Sequence, residues 1–326
     1  MKNAILKALK ISISELNQEI QDIIYTSNYY FGLNEPCKPY LKYNKEKKKY
    51  RKIEPSNEVR CKYCQKPIAQ ILQQAFERPA YCMSGWKGTN NILNASVHAG
   101  KRFTITADIE HYFPNSKTEY VECFWNILGF HGEDLKRLMN LTTFENHLPT
   151  GAPTSNILAA LIHKPLFDTI YEQMQKQGIT FTTYVDDITL SSDNHIANGV
   201  IKYIGKVITP HGLHLKSSKI KRFGYKGAII TGIKTTQCGK LQIPYKHSHK
   251  VIKMLENKSV ENMNEEELRK LIGKIGYIQQ INPDGTIKSK KRTVDRKKQC
   301  KSHFYATKRK AFKRLNEITK MKGTIK

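Results

Sequence analysis

Acidic residues are scarce in this chain. Its 326 residues carry 28 Asp and Glu against 55 Lys and Arg, a formal net charge of +27. A charge of that size says little about fold and much about partners. Nucleic acid leads, because neutralising phosphates releases condensed counterions. An anionic membrane surface needs an apolar face beside the charge, and the basic runs have none. Long apolar runs are missing too: no stretch approaches the length of a membrane-spanning helix. Residues 1–20 alternate Lys, Asn and Glu with Ile and Leu, an amphipathic helix pattern and not a secretory signal. A cytoplasmic location without membrane partners is the expectation. Seven scattered cysteines, an odd number, exclude a simple disulfide framework and point to reduced thiols. Cys61 and Cys64 form a CxxC that Cys82 and His98 could complete as a zinc site. No second CxxC exists, and residues 58–76 read as a helix, so packed or solvent-edge cysteines are favoured. Repeats and low-complexity linkers are absent, and the length suits two or three compact units.

The periodicity predicts helices over 1–36, 58–78, 117–128, 134–141, 156–174 and 196–208, and two more within 245–282. Residues 103–109 alternate and are β-branched, the pattern of a strand, and 181–190 reads as strand, turn, strand. Short strand-like pieces occupy 213–215 and 227–233. Residues 38–52 hold eight Lys or Arg and one Glu, interleaved with Tyr40, Tyr43 and Tyr50. Their β-formers suggest a basic hairpin; a solvated charged loop is the other reading. Residues 288–326 carry sixteen Lys or Arg against Asp295 and Glu317, about half of the net charge. Phe304, Tyr305, Phe312 and Leu315 suggest a packed helix there with a basic outer face.

The chemistry centres on Tyr184-Val185-Asp186-Asp187. Strand residues face alternate ways, so one aspartate can enter a site while the next braces the turn. Alone, an Asp-Asp pair in a polar turn is common. Asp108 ends the strand 103–107, and there an isolated Asp is usually a cap or turn former. Two central strands would bring Asp108 beside Asp186 and Asp187. Three carboxylates with no basic residue between them repel unless a divalent cation joins them. Two Mg²⁺ ions held this way suit in-line phosphoryl transfer. Residues 148–155, Leu-Pro-Thr-Gly-Ala-Pro-Thr-Ser, form a punctuated loop that opens a helix. Its small residues allow close approach of a backbone or base, and helix N–H groups favour phosphate. The plain alternative is a tight turn capped by Thr154 or Ser155.

In this order the pieces resemble reverse transcriptases, and among them the bacterial retron type. Asp108-Ile109-Glu110-His111-Tyr112-Phe113-Pro114 is similar to the family's Asp-x-x-x-Phe-Phe-Pro, and 148–155 to its Leu-Pro-Gln-Gly-Ala-Pro-x-Ser. Tyr184 to Asp187 matches its Tyr-x-Asp-Asp box, and 212–219 its Gly-Leu…Lys element. Asn94-Ala95-Ser96-Val97-His98 and Ile230-Thr231-Gly232 resemble the retron marks Asn-Ala-x-x-His and Val-Thr-Gly. The motifs span about residues 45–235. Thr150 stands where Gln is usual and Asn156 where Pro is usual; neither change removes a metal ligand.

The resemblance implies an α+β, right-hand polymerase. Fingers fall in 1–102 and partly in 130–155, an antiparallel palm with the Asp-Asp hairpin in 103–238, and a short basic helical thumb in 239–326. It implies an RNA-directed DNA polymerase with a two-Mg²⁺ site held by Asp108, Ile109, Asp186 and Asp187. Phe113 would stack under the incoming sugar and exclude a 2′-OH. Lys49 and Arg51, within a residue or two, would reach the triphosphate, beside Thr150, Gly151 and Ala152. Lys219 would protonate or neutralise the leaving pyrophosphate, or be one exposed lysine among several. Asn94 and His98 would belong to the RNA-engaging region, or be a helix cap and a packed histidine. Lys308, Arg309, Lys310, Lys313 and Arg314 are candidates for holding the RNA, on charge and aromatic content. The implied partners are dNTPs, a cognate non-coding RNA, its branched RNA–DNA product (msDNA) and a separate effector in anti-phage defence, in a higher-order complex. Two alternatives remain: an RNA–msDNA scaffold that restrains a toxic effector, and a group II intron or diversity-generating reverse transcriptase.

Overall fold

The computed structural model describes residues 1–31, 39–44, 49–54, 61–243, 245–281 and 306–319. The chain divides into two compact units, residues 1–94 with 102–223, and residues 95–101 with 224–326.

The first unit is built on an antiparallel sheet. Its strands are β3 (Phe103–Glu110), β4 (Thr180–Tyr184), β5 (Asp187–Ser192) and β6 (His214–Leu215), in the order β4-β5-β3-β6, and β7 (Lys221–Phe223) also pairs with β3. The register sets Ile105 against Leu190, Ala107 against Ile188 and Phe181 against Leu190. These residues share one face, because side chains alternate with period two. That face joins a buried cluster with Leu158, Ile162, Phe167, Ile170, Met174 and Ile204 from the helices. The other face carries Thr104, Thr106 and Asp108 on β3, Asp187, Thr189 and Ser191 on β5, and Thr180 and Thr182 on β4. Alternation in the sequence thus sorts an apolar face for packing from a polar face that ends in carboxylates.

A separate two-stranded hairpin pairs β1 (Tyr40–Asn44) with β2 (Lys49–Ile53), as the basic run predicts. The single helix expected over 156–174 is instead two, Ser155–Ile162 and Lys164–Lys176, broken at His163. Pro165 has no N–H to give to the carbonyl of Leu161 four residues back, so the ladder is interrupted there. Of the helix expected over 58–78, the described part holds a π-helical turn, Cys61–Gln65, followed by Lys66–Ala75; 58–60 lie outside the described residues.

The second unit has a three-stranded antiparallel sheet of β8 (Ile229–Ile230), β9 (Ile233–Thr235) and β10 (Leu241–Gln242), in the order β10-β9-β8. The one strand expected over 227–233 is a hairpin. Ile230 pairs with Ile233, and Thr231 (φ 44°) and Gly232 (φ 86°) form its two-residue loop. Positive φ at both positions is the type I′ turn, which favours glycine second. Among the described residues the unit also holds helices Tyr245–Asn257, Glu265–Ile281 and 306–319. Asn264 and Glu267 cap the second helix reciprocally: Glu267 N–H donates to Asn264 Oδ1 at 2.9 Å, and Asn264 N–H donates to Glu267 Oε2 at 2.8 Å. In helix 306–319 Ala311 and Leu315 are buried with Val251, Leu271 and Ile275. Phe312, expected to pack, is 43 % exposed. Phe304 and Tyr305 lie outside the described residues. No described helix is long and apolar enough to cross a membrane.

Candidate active site

Asp108 lies directly opposite Asp187 across β3 and β5. The next pair, Ile109 and Asp186, is hydrogen-bonded, with Ile109 N–H donating to Asp186 O at 2.8 Å. Asp108 and Asp187 are therefore a non-hydrogen-bonded pair, the kind whose Cα atoms approach to about 4.5 Å and whose side chains come closest. Asp108 is buried and Asp187 half-buried. Like charges placed directly opposite repel. Some compensating cation is required.

Lys219 supplies it: its Nζ is paired with Asp108 Oδ1. The expectation of carboxylates with no basic residue among them is corrected here. The physical reason is the path of the chain beside β3. β6 pairs with the end of β3 and β7 with its beginning, and between them the 3₁₀ turn Ser217–Lys219 stands beside Asp108. Lys216 N–H donates to Asp108 O at 2.8 Å, which anchors that turn. The Lys216 ammonium in turn meets Glu110 Oε1 at 2.6 Å, holding the Glu110 carboxyl below its usual range and its own ammonium above.

Val185 and Asp186 form the two-residue loop between β4 and β5, closed by Tyr184 opposite Asp187. Val185 has φ 57°, a conformation that β-branched residues rarely adopt. Such strain persists only where neighbours over-determine it. Here Ser84 Oγ accepts from Val185 N–H at 2.9 Å. The segment before it runs alongside β4, with Thr183 N–H donating to Tyr81 O and Met83 N–H to Thr183 O, both at 2.8 Å. The loop bearing Asp186 is thus braced from both sides. Ser84 leaves no motif in the sequence.

Phe113 sits in the short helix Tyr112–Asn115 just after β3, half-buried against the core, its ring centroid 5.7 Å from that of Tyr112. Asn115 Nδ2 donates to Glu110 O at 3.0 Å and fastens this helix to the strand end.

The loop 148–154 is not capped by Thr154 or Ser155. Ser155 Oγ donates back to Pro149 O at 2.6 Å, and the Thr154 hydroxyl is buried without a partner. Ala152 is buried, Thr150 half-buried and Gly151 exposed. Gly151 has φ 110°, and a Cβ there would stand 3.1 Å from Ile53 Cγ2. That close approach brings β2 and the loop together. Lys49 and Arg51 lie on β2, opposite Asn44 and Lys42, but their side chains lie outside the described set.

Asn94 and His98 are fully buried. Asn94 Oδ1 accepts from Thr182 Oγ1 at 2.6 Å on the polar face of the sheet. His98 falls in the second unit, where burial holds its pKa down at about 3. Any part they play in RNA binding runs through the shape of the segment that carries them. On helix 306–319, Arg309, Lys310 and Lys313 are exposed. Lys308 Nζ donates to Gln279 Oε1 at 2.7 Å, and Arg314 pairs with Glu317 at 3.2 Å. Cys64 and Cys82 are buried, Cys82 donating to Ser84 O at 3.2 Å. Among the described residues no group of three or more His, Cys, Asp or Glu is placed so that it could hold a metal ion, and Asp108, Asp186 and Asp187 are no exception.

A polar-faced antiparallel sheet with paired aspartates at its end and a third in the adjoining hairpin loop defines a class, and comparison with known families agrees. Residues 42–255 match the family described as Reverse transcriptase (RNA-dependent DNA polymerase), and the chain belongs to it. Its curated relatives include retron enzymes. The Retron Se72 reverse transcriptase of Salmonella heidelberg (strain 579083-10) is 29% identical over 180 residues, 54% of this chain and 47% of that protein. The Retron Ec86 reverse transcriptase of Escherichia coli is 27% identical over 221 residues, 65% of this chain and 64% of that protein. The chain thus spans about half to two thirds of the length of these relatives.

Proposed function

We propose that this protein is a retron-type reverse transcriptase that copies a cognate non-coding RNA. Synthesis starts from a 2′-OH of a guanosine in that RNA and leaves a branched RNA–DNA. The observation that carries this reading is Asp108 facing Asp187, with Asp186 in the braced loop beside them. These donors fit Mg²⁺. They are hard oxygens at the ends of β3 and β5 and in the loop beside them, and Mg²⁺ is usually held by one or two carboxylates together with substrate phosphates, so the protein need not supply three. The Lys219 ammonium on Asp108 marks the same demand for positive charge. Asp108, Asp186 and Asp187, with the Ile109 backbone, would hold two Mg²⁺, which when bound activate the attacking hydroxyl and offset charge on the leaving pyrophosphate.

The protein's own groups position the reactants. Phe113 stacks under the incoming sugar and leaves no room for a 2′-OH. Lys49 and Arg51 meet the triphosphate, with Arg offering two parallel donors. Thr150, Gly151 and Ala152 line the seat of the template–nucleotide pair. Lys219, released from Asp108, stands ready to give its proton to the pyrophosphate. In this reading 1–102 supplies the fingers, 103–238 the palm and 239–326 the thumb. The exposed cations Arg309, Lys310 and Lys313, with Lys308 and Arg314 beside them, hold the RNA. The RNA–DNA product then joins a separate effector in anti-phage defence in the bacterial cytoplasm.

The test is to purify the protein from its native operon, treat it with ribonuclease and look for DNA. A single discrete small DNA supports the retron assignment; a ladder or no DNA overturns it. Defence that survives Asp186→Asn with no DNA made would shift the functional weight from synthesis to the assembled complex.

A further inference from the structure

Glu54 is the one acid that closes the basic run of β2, and it is almost fully buried, at 3 % exposure. Burying a carboxylate is costly unless charge and hydrogen bonds surround it. Three donors do so. Thr150 N–H reaches Oε2 at 3.0 Å, His147 Nε2 reaches Oε2 at 3.1 Å, and Lys52 Nζ reaches Oε1 at 3.1 Å. Burial alone would raise the Glu54 pKa, but these bonds, that from Thr150 foremost, hold it below the ordinary range. The backbone adds a reciprocal bond, Glu54 N–H to Thr150 O at 2.9 Å. Lys52 also lies 3.8 Å from Glu145 and 5.3 Å from the centroid of the Phe144 ring.

The pattern has a specific geometry. A backbone carbonyl partner for Thr150 N–H would have tied strand and loop as an ordinary ladder. A side chain takes that place, so the loop is tied to the end of β2 by one backbone bond, Glu54 N–H to Thr150 O, and by one carboxylate. Gly151 then meets Ile53 at the same joint. Lys49 and Arg51 precede this joint on β2; on the loop Thr150 and Gly151 form it and Ala152 follows.

We infer that Glu54 is a positioning residue that sets the distance between the triphosphate-binding strand and the nucleotide-seating loop. The inference rests on the polymerase reading above. Glu54 touches neither reactant; it holds two elements, each of which touches one.

The full-length protein is assayed with poly(rA)·oligo(dT), dTTP and Mg²⁺. Glu54→Ala removes every acceptor. Glu54→Gln keeps one oxygen for Thr150 N–H, loses the charge, and is nearly the same size. Glu54→Ala is expected to raise KM for dTTP about tenfold or more, the worth of a charge-assisted hydrogen bond. Its kcat stays within about threefold and its affinity for the template–primer is unchanged, since losses confined to KM report binding. Glu54→Gln falls between it and the wild type, and carries the test should Glu54→Ala fail to fold. Equal loss of kcat and kcat/KM, or a lowered melting temperature with unchanged KM, overturns the inference. A wild type that incorporates nothing overturns the polymerase reading and this inference with it. An active wild type with unchanged KM in both variants overturns this inference alone.

Discussion

The strand pairs within 40–53 and 180–192 are both antiparallel and both belong to the larger unit, yet the first leaves most of its described side chains to solvent and the second loses most of them to the interior. Tyr40, Leu41, Tyr43 and Tyr50 are between 46 and 68 % exposed. In the second, Phe181, Thr182, Thr183, Ile188, Leu190 and Ser191 are all buried. The first hairpin is steadied across its strands by the Tyr43–Tyr50 ring pair, 5.0 Å apart, and at its end by Glu54. The second is steadied along its length, by β3 on one side and the segment 81–84 on the other. The difference follows from the charge each presents. Carboxylates placed directly opposite need a frame that resists their repulsion, whereas exposed cations, which the proposed reading assigns to phosphate, need no such frame.

The largest way to test this contrast is at the acidic tip. Asp186→Asn should abolish DNA synthesis, by about 10³-fold or more, with the melting temperature nearly unchanged. Asp187→Glu should cost less, as a supporting ligand would. Equal losses in primer-extension assays would break that asymmetry.

Framework energetics come next. Leu190→Ala should lower unfolding stability by about 2–5 kcal/mol in urea titrations. Leu41→Ala, on the exposed hairpin, should stay within about 0.5 kcal/mol. A comparable loss at both would mean that the basic hairpin is covered by something in solution.

Lys219→Met should reduce the rate of incorporation about 10²-fold, the lower end of general-acid contributions, as measured by single-nucleotide incorporation. A full-speed variant would make Lys219 only the resting partner of Asp108.

Mild acid should act on the buried framework through its histidines. Burial holds His163 and His98 at a pKa of about 3, below the usual histidine value. Each therefore binds fewer protons folded than unfolded below pH 6.5. Stability is fully present above that pH and is lost as pH falls towards 3. From pH 6.5 to 5 the loss is about 2 kcal/mol per histidine. Chemical denaturation at the two pH values checks it, and flat stability would contradict the burial of both rings.

Much of this was legible in the residues. The alternation in 103–109 announced one strand and the pattern of 181–190 a strand, a turn and a second strand, and the tetrapeptide at that turn announced two of the acids. Breaks were harder to see: an apolar stretch from 156 to 174 reads as one helix, and only the lost N–H of Pro165 divides it. Glu54 and Ser84 were invisible as site residues. One is an acid just past a basic run and the other a serine outside any motif, and nothing local says that their partners are Thr150 and Val185.

The chain's own order of residues decides which groups are available: three aspartates, a Phe after the first, a glycine loop, and an excess of cations. Period-two alternation is a local property, so it also decides that Asp108 shares a face with threonines rather than with Ile105 and Ala107. The folded arrangement decides who meets whom. That Asp187 stands opposite Asp108, that Lys219 closes the pair, and that Glu54 ties β2 to the loop are matters of strand register and of contacts up to about a hundred residues apart. Such contacts form only when burial of the apolar face makes them favourable together, and no window along the chain contains that sum.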